Sequence, residues 1–302
     1  MRHLGLKIRM AIVGSILLAF YSGAVAVAWY FFGQSQSILA LAIVGSILLV
    51  GVQYKVGKWA ALKSVGAEDM DKQQHPQIYL FVEKVCHEKD LNMPSLKIAD
   101  MGVPNAFAVG RRGSGTVVVS RELIQLLDRD ELEGVLAHEL AHIDNRDVIT
   151  MQIGQGIASI VSIVAQYIVL FTGDNDIADL FLAIVVGNLV QLFVMPFVFA
   201  ISRHREYVAD ADARRAIGSG DPLVRALKKI HQGNQHASRS TDQRTGKPVN
   251  QRNSRHGNPR RREQGSNQQV ATLCISSPDR NFIQRAMSTH PPMEKRIQRL
   301  QS

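Results

Sequence analysis

Cysteine is almost absent from this chain. The two among 302 residues, Cys86 and Cys274, have neither a CxxC pair nor a Cys/His spacing around them. That excludes a disulfide framework and fits a reducing compartment. Lysine and arginine are missing from Ala11 to Phe32 and from Met151 to Ile201. Apolar residues in turn nearly vanish from His236 to Gln269, where Ser, Gln, Asn, Gly and Arg dominate. Composition averages of 46% hydrophobic and 20% charged therefore hide very apolar and very polar segments. The length suits one large domain or two smaller ones.

The charge-free stretches read as membrane spans. After the basic start with Arg2, Lys7 and Arg9, Ala11 to Phe32 is long enough to cross a bilayer. A cleaved signal would be shorter and end in small residues. This run ends in Trp29-Tyr30-Phe31-Phe32, an interfacial aromatic belt. A second run, about Ile38 to Val52, follows a short uncharged turn and is flanked by Tyr54, Lys55, Lys58, Trp59 and Lys63. Two more, Met151 to Phe171 and Ile177 to Ile201, form a second pair. Their length and lack of cations favour spanning over a buried soluble hairpin. Every Lys/Arg-bearing flank, including Arg146, Arg203 and Arg205, lies on one side of the four runs. The positive-inside rule places both termini and all polar regions in the cytoplasm.

The net charge of +9 is concentrated in part around Arg260-Arg261-Arg262, inside the apolar-poor segment. That segment reads as a disordered loop. It holds no aromatic residue on which bases could stack, so nucleic acid is a poor partner and an anionic inner leaflet a nearer one.

Between the two hairpins, Pro76 to Glu88 has helical periodicity. Leu96 to Ala99, Ala106 to Val109 and Thr116 to Ser120 read as short strands, and Leu123 to Leu127 as a helix. Asp130 is the expected N-cap of the next helix. That helix holds His138-Glu139-Leu140-Ala141-His142, an H-E-x-x-H pattern. Residues four apart share a helix face, so the two imidazoles can meet one metal ion, with Glu139 beside it. Two histidines and one further ligand leave a zinc position open for water, the apparatus of metal-assisted peptide hydrolysis. Asp144, Asn145, Arg146 and Asp147 follow at once, which sets the motif near the membrane surface rather than within it.

A third ligand is available after the fourth run. Glu206 and Asp210 lie four apart, so a helix puts both carboxylates on one side. One can bind metal while the other accepts a hydrogen bond from a ligating imidazole. His204 is a competing ligand, but it lies about 200° round the helix from Glu206 and is expected to be solvated. A final structured part should hold a strand at Val270 to Ile275 and a helix at Glu294 to Leu300.

Four stretches together resemble the HtpX-like membrane zinc metalloproteases, relatives of the Ste24 prenyl-protein proteases. They are PNAFAVG (Pro104 to Gly110), HELAHIDNRD (His138 to Asp147), SRHREYVADADA (Ser202 to Ala213) and STHPPMEKRIQRL (Ser288 to Leu300). Only the 236–269 insert stands outside the resemblance. It implies His138, His142 and Glu206 as ligands of one Zn2+ per chain, Glu139 as catalytic base, and Asp210 as the group orienting a ligating imidazole. It also implies that Asn105 and Ala106 begin an edge strand that pairs with substrate backbone. His290 and Pro291 match a recurrent C-terminal motif and are expected to pack rather than react.

The expected fold is an α+β membrane protein, mostly helical, with four transmembrane helices and a cytoplasmic zincin-like domain of active-site helix plus small sheet. Its expected parts are a transmembrane hairpin (1–64), a catalytic region (65–150), a second hairpin (151–201) and a region with the third ligand (202–302), the last including the disordered loop 236–269. The expected function is a multi-pass endopeptidase of the cell (inner) membrane that cuts misfolded or damaged proteins, unfolded and membrane proteins among them, at the cytoplasmic face. A non-proteolytic zinc-binding docking protein is the competing class, but a scaffold has no need of Glu139. A Ste24-like prenyl-protein protease shares the ligand set, yet those relatives have more spans.

Overall fold

The computed structural model describes residues 15, 16, 19, 21–23, 25–27, 29, 30, 36–172, 177–245 and 291–301. The helices are α1 (Gln36–Ser64), α2 (Pro76–Glu88), α3 (Arg121–Leu126), α4 (Arg129–Asp144), α5 (Asp147–Thr172), α6 (Ile177–Ile217), α7 (Asp221–Thr245) and α8 (Met293–Gln301). The strands are β1 (Glu68–Asp69), β2 (Ser95–Ala99), β3 (Ala106–Val109) and β4 (Thr116–Ser120). The chain is mostly helical with one small mixed sheet.

Two compact units form, each from separate stretches. One takes 1–57, 147–205 and 282–289; the other takes 58–146, 206–281 and 290–302. The first unit contains most of α5 and α6. Among the described residues these two helices are long and apolar enough to cross a membrane. Ala158, Val194, Val198 and Ile201 form their shared core. Gly187 lets them approach: a Cβ there would lie 2.3 Å from Gln166 Nε2, and Ser162 Oγ donates to the Gly187 carbonyl at 2.9 Å. Of the first expected span only scattered positions are described, all helical. The second lies within α1.

The second unit is built on the sheet, in the order β1-β2-β4-β3. β2 and β4 run parallel, while β1 and β3 pair antiparallel with their neighbours. β4 is buried along its whole length, which explains its continuous apolar sequence. Alternate side chains serve opposite faces. Val117 and Val119 join Leu96, Ile98 and Ala106 in the main core with α4 and α7. Val118 joins Phe107, Val109 and Val65 in a smaller cluster on the other side. β3 forms one edge of the sheet and is a direct neighbour of α4.

The N-terminus of α4 differs from the expectation. Asp128, not Asp130, is the N-cap; its backbone N–H donates to Glu131 Oε2 at 2.9 Å. Lys229 of α7 bonds both Asp128 and Glu131, at 2.8 and 2.7 Å. Asp130 lies in the first turn and pairs with Arg225. At Gly134 an added Cβ would sit 3.1 Å from the Leu223 backbone nitrogen, so α4 and α7 pack almost backbone to backbone.

A second difference concerns the polar segment from His236. Helix α7 continues to Thr245, so residues 236–245 are helical rather than irregular. The remainder of the expected loop, the strand at Val270 to Ile275, and His290 lie outside the described residues.

Candidate metal centre

Two helices deliver the donors. On α4 the Nε2 atoms of His138 and His142 approach to 3.1 Å, with the rings edge to face. Glu206 comes from α6. Its Oε2 is 3.6 Å from His138 Nε2 and its Oε1 is 3.5 Å from His142 Nε2. One donor atom from each of the three residues lies within 4.8 Å of the others.

These separations fit a metal. A tetrahedral zinc ion with bonds of about 2.0–2.1 Å holds its ligand atoms about 3.4 Å apart. The observed edges of 3.1, 3.5 and 3.6 Å bracket that value. The chemistry agrees as well. Two imidazole nitrogens and a carboxylate oxygen suit zinc, and the carboxylates make the cradle favourable for positive charge.

Asp210 lies one helical turn beyond Glu206, and its Oδ1 is 3.0 Å from His138 Nδ1. A proton held on Nδ1 leaves the Nε2 lone pair for a metal. His138 is 2% exposed. Burial works against its charged form, but hydrogen bonding by Asp210 and Glu206 outweighs this and pushes its pKa up to about 9.

Arg296 of α8 completes the arrangement, and the sequence reading did not find it. Its guanidinium grips Asp210 with Nε on Oδ2 at 2.9 Å and Nη2 on Oδ1 at 2.6 Å. Nη1 lies 3.4 Å from Glu206 Oε2, and Nη2 lies 3.4 Å from His138 Nε2. Burial disfavours the guanidinium charge, yet Asp210 and then Glu206 hold its pKa above the ordinary arginine value. The available signal was positional: Arg296 shares a helix face with Met293, Ile297 and Leu300, where a cation needs a buried partner.

Glu139 is buried, about 100° round α4 from His138. Asn105 and Ala106 are also buried at the start of β3. The Asn105 N–H donates to Ser120 Oγ at 3.0 Å, and its carbonyl accepts the Ser120 N–H at 2.9 Å. These bonds fix the inner side of the edge strand. His204, expected in solvent, is half-buried instead.

Comparison with known proteins agrees with this geometry. The model of peptidase family M48 matches residues 72–302. A protein described as a protease HtpX homolog of Halobacterium salinarum is 67% identical over 97% of this chain and 100% of its own length. Another of that description, from Pyrococcus abyssi, is 32% identical over 98% of this chain and 96% of its own. Among solved structures, S. mikatae Ste24p shares the fold, with a TM-score of 0.55 at 16% identity. That match covers 99% of this chain, which spans 65% of the length of the Ste24p chain. With the family model extending over the H-E-x-x-H helix, Glu206 and Arg296 alike, the chain belongs to peptidase family M48 and is a metalloprotease.

Proposed function

We propose that this chain is a zinc endopeptidase, anchored by four spans, that cleaves unfolded and misfolded membrane proteins at the cytoplasmic face of the cell membrane as part of protein quality control. The observation that carries the reading is the convergence of His138, His142 and Glu206 on one point. These three residues would hold the ion. When bound, it supplies a Lewis acid that polarises a carbonyl and lowers the pKa of water. Glu139, one residue from a ligand and buried, takes the proton from the attacking water and delivers it to the leaving nitrogen. Asp210 holds the His138 ring in the tautomer that leaves Nε2 unprotonated, and Arg296 keeps Asp210 ionised.

The edge strand, along Asn105 to Val109, would receive substrate as an added strand. Recognition through main-chain hydrogen bonds reads extension rather than sequence, which suits a protease for damaged proteins. The basic 236–269 segment supports contact with anionic lipid, and no nucleic-acid partner is proposed.

The test uses detergent-purified full chain. Glu139→Gln should retain about one zinc per chain by metal analysis, while cleavage of a casein-type unfolded substrate, chelator-sensitive in the parent, is lost. Full residual cleavage by that variant removes Glu139 from its role. A chelator-insensitive parent activity removes the metal.

A further inference from the structure

Helix α1 changes character along its length. Val44, Leu48, Val52 and Val56 repeat every four residues and are all exposed, at 51–67%. Residues four apart stack along one face, so this is a continuous apolar ladder open to its surroundings. The adjoining ladder of Lys55, Trp59 and Lys63 is exposed too. Trp59 is 61% exposed, and the Lys63 ammonium lies over its ring at 4.6 Å from the centroid. An indole beside lysines, following an exposed apolar ladder, is the chemistry of a bilayer's headgroup layer.

A second element is fastened at the same place. The turn joining β3 to β4 is closed by the Ser114 N–H donating to the Arg111 carbonyl at 2.9 Å. The Ser114 carbonyl accepts the Lys58 ammonium at 2.8 Å, one residue before Trp59. Arg111 is exposed on this turn. Arg112 is engaged elsewhere, with the Lys89 and Asp90 carbonyls and with Asp144. Of the two acids that follow α1, Asp69 is paired with Lys97 and Glu68 is exposed. Lys63 thus presents positive charge over an exposed indole, and Arg111 adds an exposed cation on the turn that Lys58 bonds.

We propose that Trp59, Lys63 and Arg111 form a contact surface for anionic phospholipid headgroups, which gathers such lipids around the catalytic unit. The occupant is a lipid headgroup rather than an acidic polypeptide because the apolar ladder leads directly into the cationic end of the same helix. A cation near an anionic leaflet favours anionic over zwitterionic lipid by roughly fivefold. The surface lies at the far end of β3, so lipid composition would bear on the strand assigned above to substrate.

The full chain carrying Trp29→Phe leaves Trp59 as the sole tryptophan. It is reconstituted in mixed phosphatidylcholine and phosphatidylglycerol vesicles in which one lipid or the other is brominated. Expected is several-fold stronger quenching of Trp59 by brominated phosphatidylglycerol at equal mole fraction, weakened by salt. Lys63→Gln with Arg111→Gln should remove that preference, Lys63→Arg should keep it, and Arg260→Gln, Arg261→Gln and Arg262→Gln together should leave it intact. If Trp29→Phe does not fold, the parent minus Trp59→Phe gives the same signal by difference. Equal quenching by both lipids overturns the proposal, as does a preference that follows the 260–262 arginines. No quenching by either lipid overturns it together with the reading of α1 as membrane-embedded.

Discussion

Replacing Arg296 by methionine should destabilise the catalytic unit even with no metal present. The guanidinium makes two charge-assisted bonds to Asp210, at 2.6 and 2.9 Å, and Asp210 is 2% exposed. Methionine fills similar space but leaves that carboxylate, among the described residues, with His138 Nδ1 at 3.0 Å. Removing one partner of a buried ion pair costs about 3–5 kcal/mol, because the remaining charge is stranded away from water. The proton on His138 compensates in part, so the lower end, about 3 kcal/mol, is expected. At about 2–4 °C per kcal/mol for a domain of this size, the melting temperature should fall by about 6–12 °C. The assay is thermal unfolding of the detergent-solubilised chain in excess chelator, which separates this effect from metal loss. Adding Asp210→Asn to the variant should restore part of the loss, since an amide tolerates the dry position better than an unpaired carboxylate. A fall under about 2 °C, or a double variant less stable than the single one by the full cost of Asp210→Asn alone, would refute the reasoning.

Three further outcomes are expected. The raised pKa of His138, about 9 against about 6.5 when unfolded, stabilises the metal-free chain by roughly 3 kcal/mol. That contribution is complete below pH about 6.5 and drains away as pH rises through 9. Melting in chelator should therefore move down between pH 6 and pH 9.5, and an unchanged difference after His138→Gln would assign it elsewhere. Zinc uptake must expel the same proton, so its apparent affinity, measured by competition with a chelator of known affinity, should rise up to tenfold per pH unit over the same interval. In the unit that holds the two long apolar helices, Gly187→Ala forces the whole Gln166 side chain aside and breaks its 3.3 Å bond to Ser162, costing about 1–3 kcal/mol. Gly45→Ala, which meets nothing within 4 Å, should be neutral or slightly stabilising, and equal effects at the two sites would contradict the packing described.

Much of this site is legible from local sequence because its chemistry rests on local spacing. His138 and His142 meet because four residues make about one helical turn, and Glu206 and Asp210 do so for the same reason. The strands at Ala106–Val109 and Thr116–Ser120 are likewise written in runs bounded by Gly and Pro. What sequence hides depends on distant partners. Asp128-x-x-Glu131 and Asp130-x-x-Glu133 are both plausible capping boxes. Lys229, 101 residues from Asp128, pairs with Asp128 and Glu131 together. Arg296 is informative only once Asp210, 86 residues earlier, is known to face it. The reach of α7 to Thr245 does not show in composition, because a helix already nucleated upstream extends through polar residues at little cost.

The separation of the site's parts along the chain has a consequence for biosynthesis. His138 and Arg296 stand 158 positions apart, and Asp210 precedes Arg296 by 86. At about 5–20 residues per second, a ribosome needs roughly 5–15 s to go from Asp210 to Arg296. During that interval the histidines and acids already exist, but the guanidinium that neutralises Asp210 has not been made. The nascent polypeptide therefore holds an unfinished protease for those seconds, when an active one would find its first victim in itself.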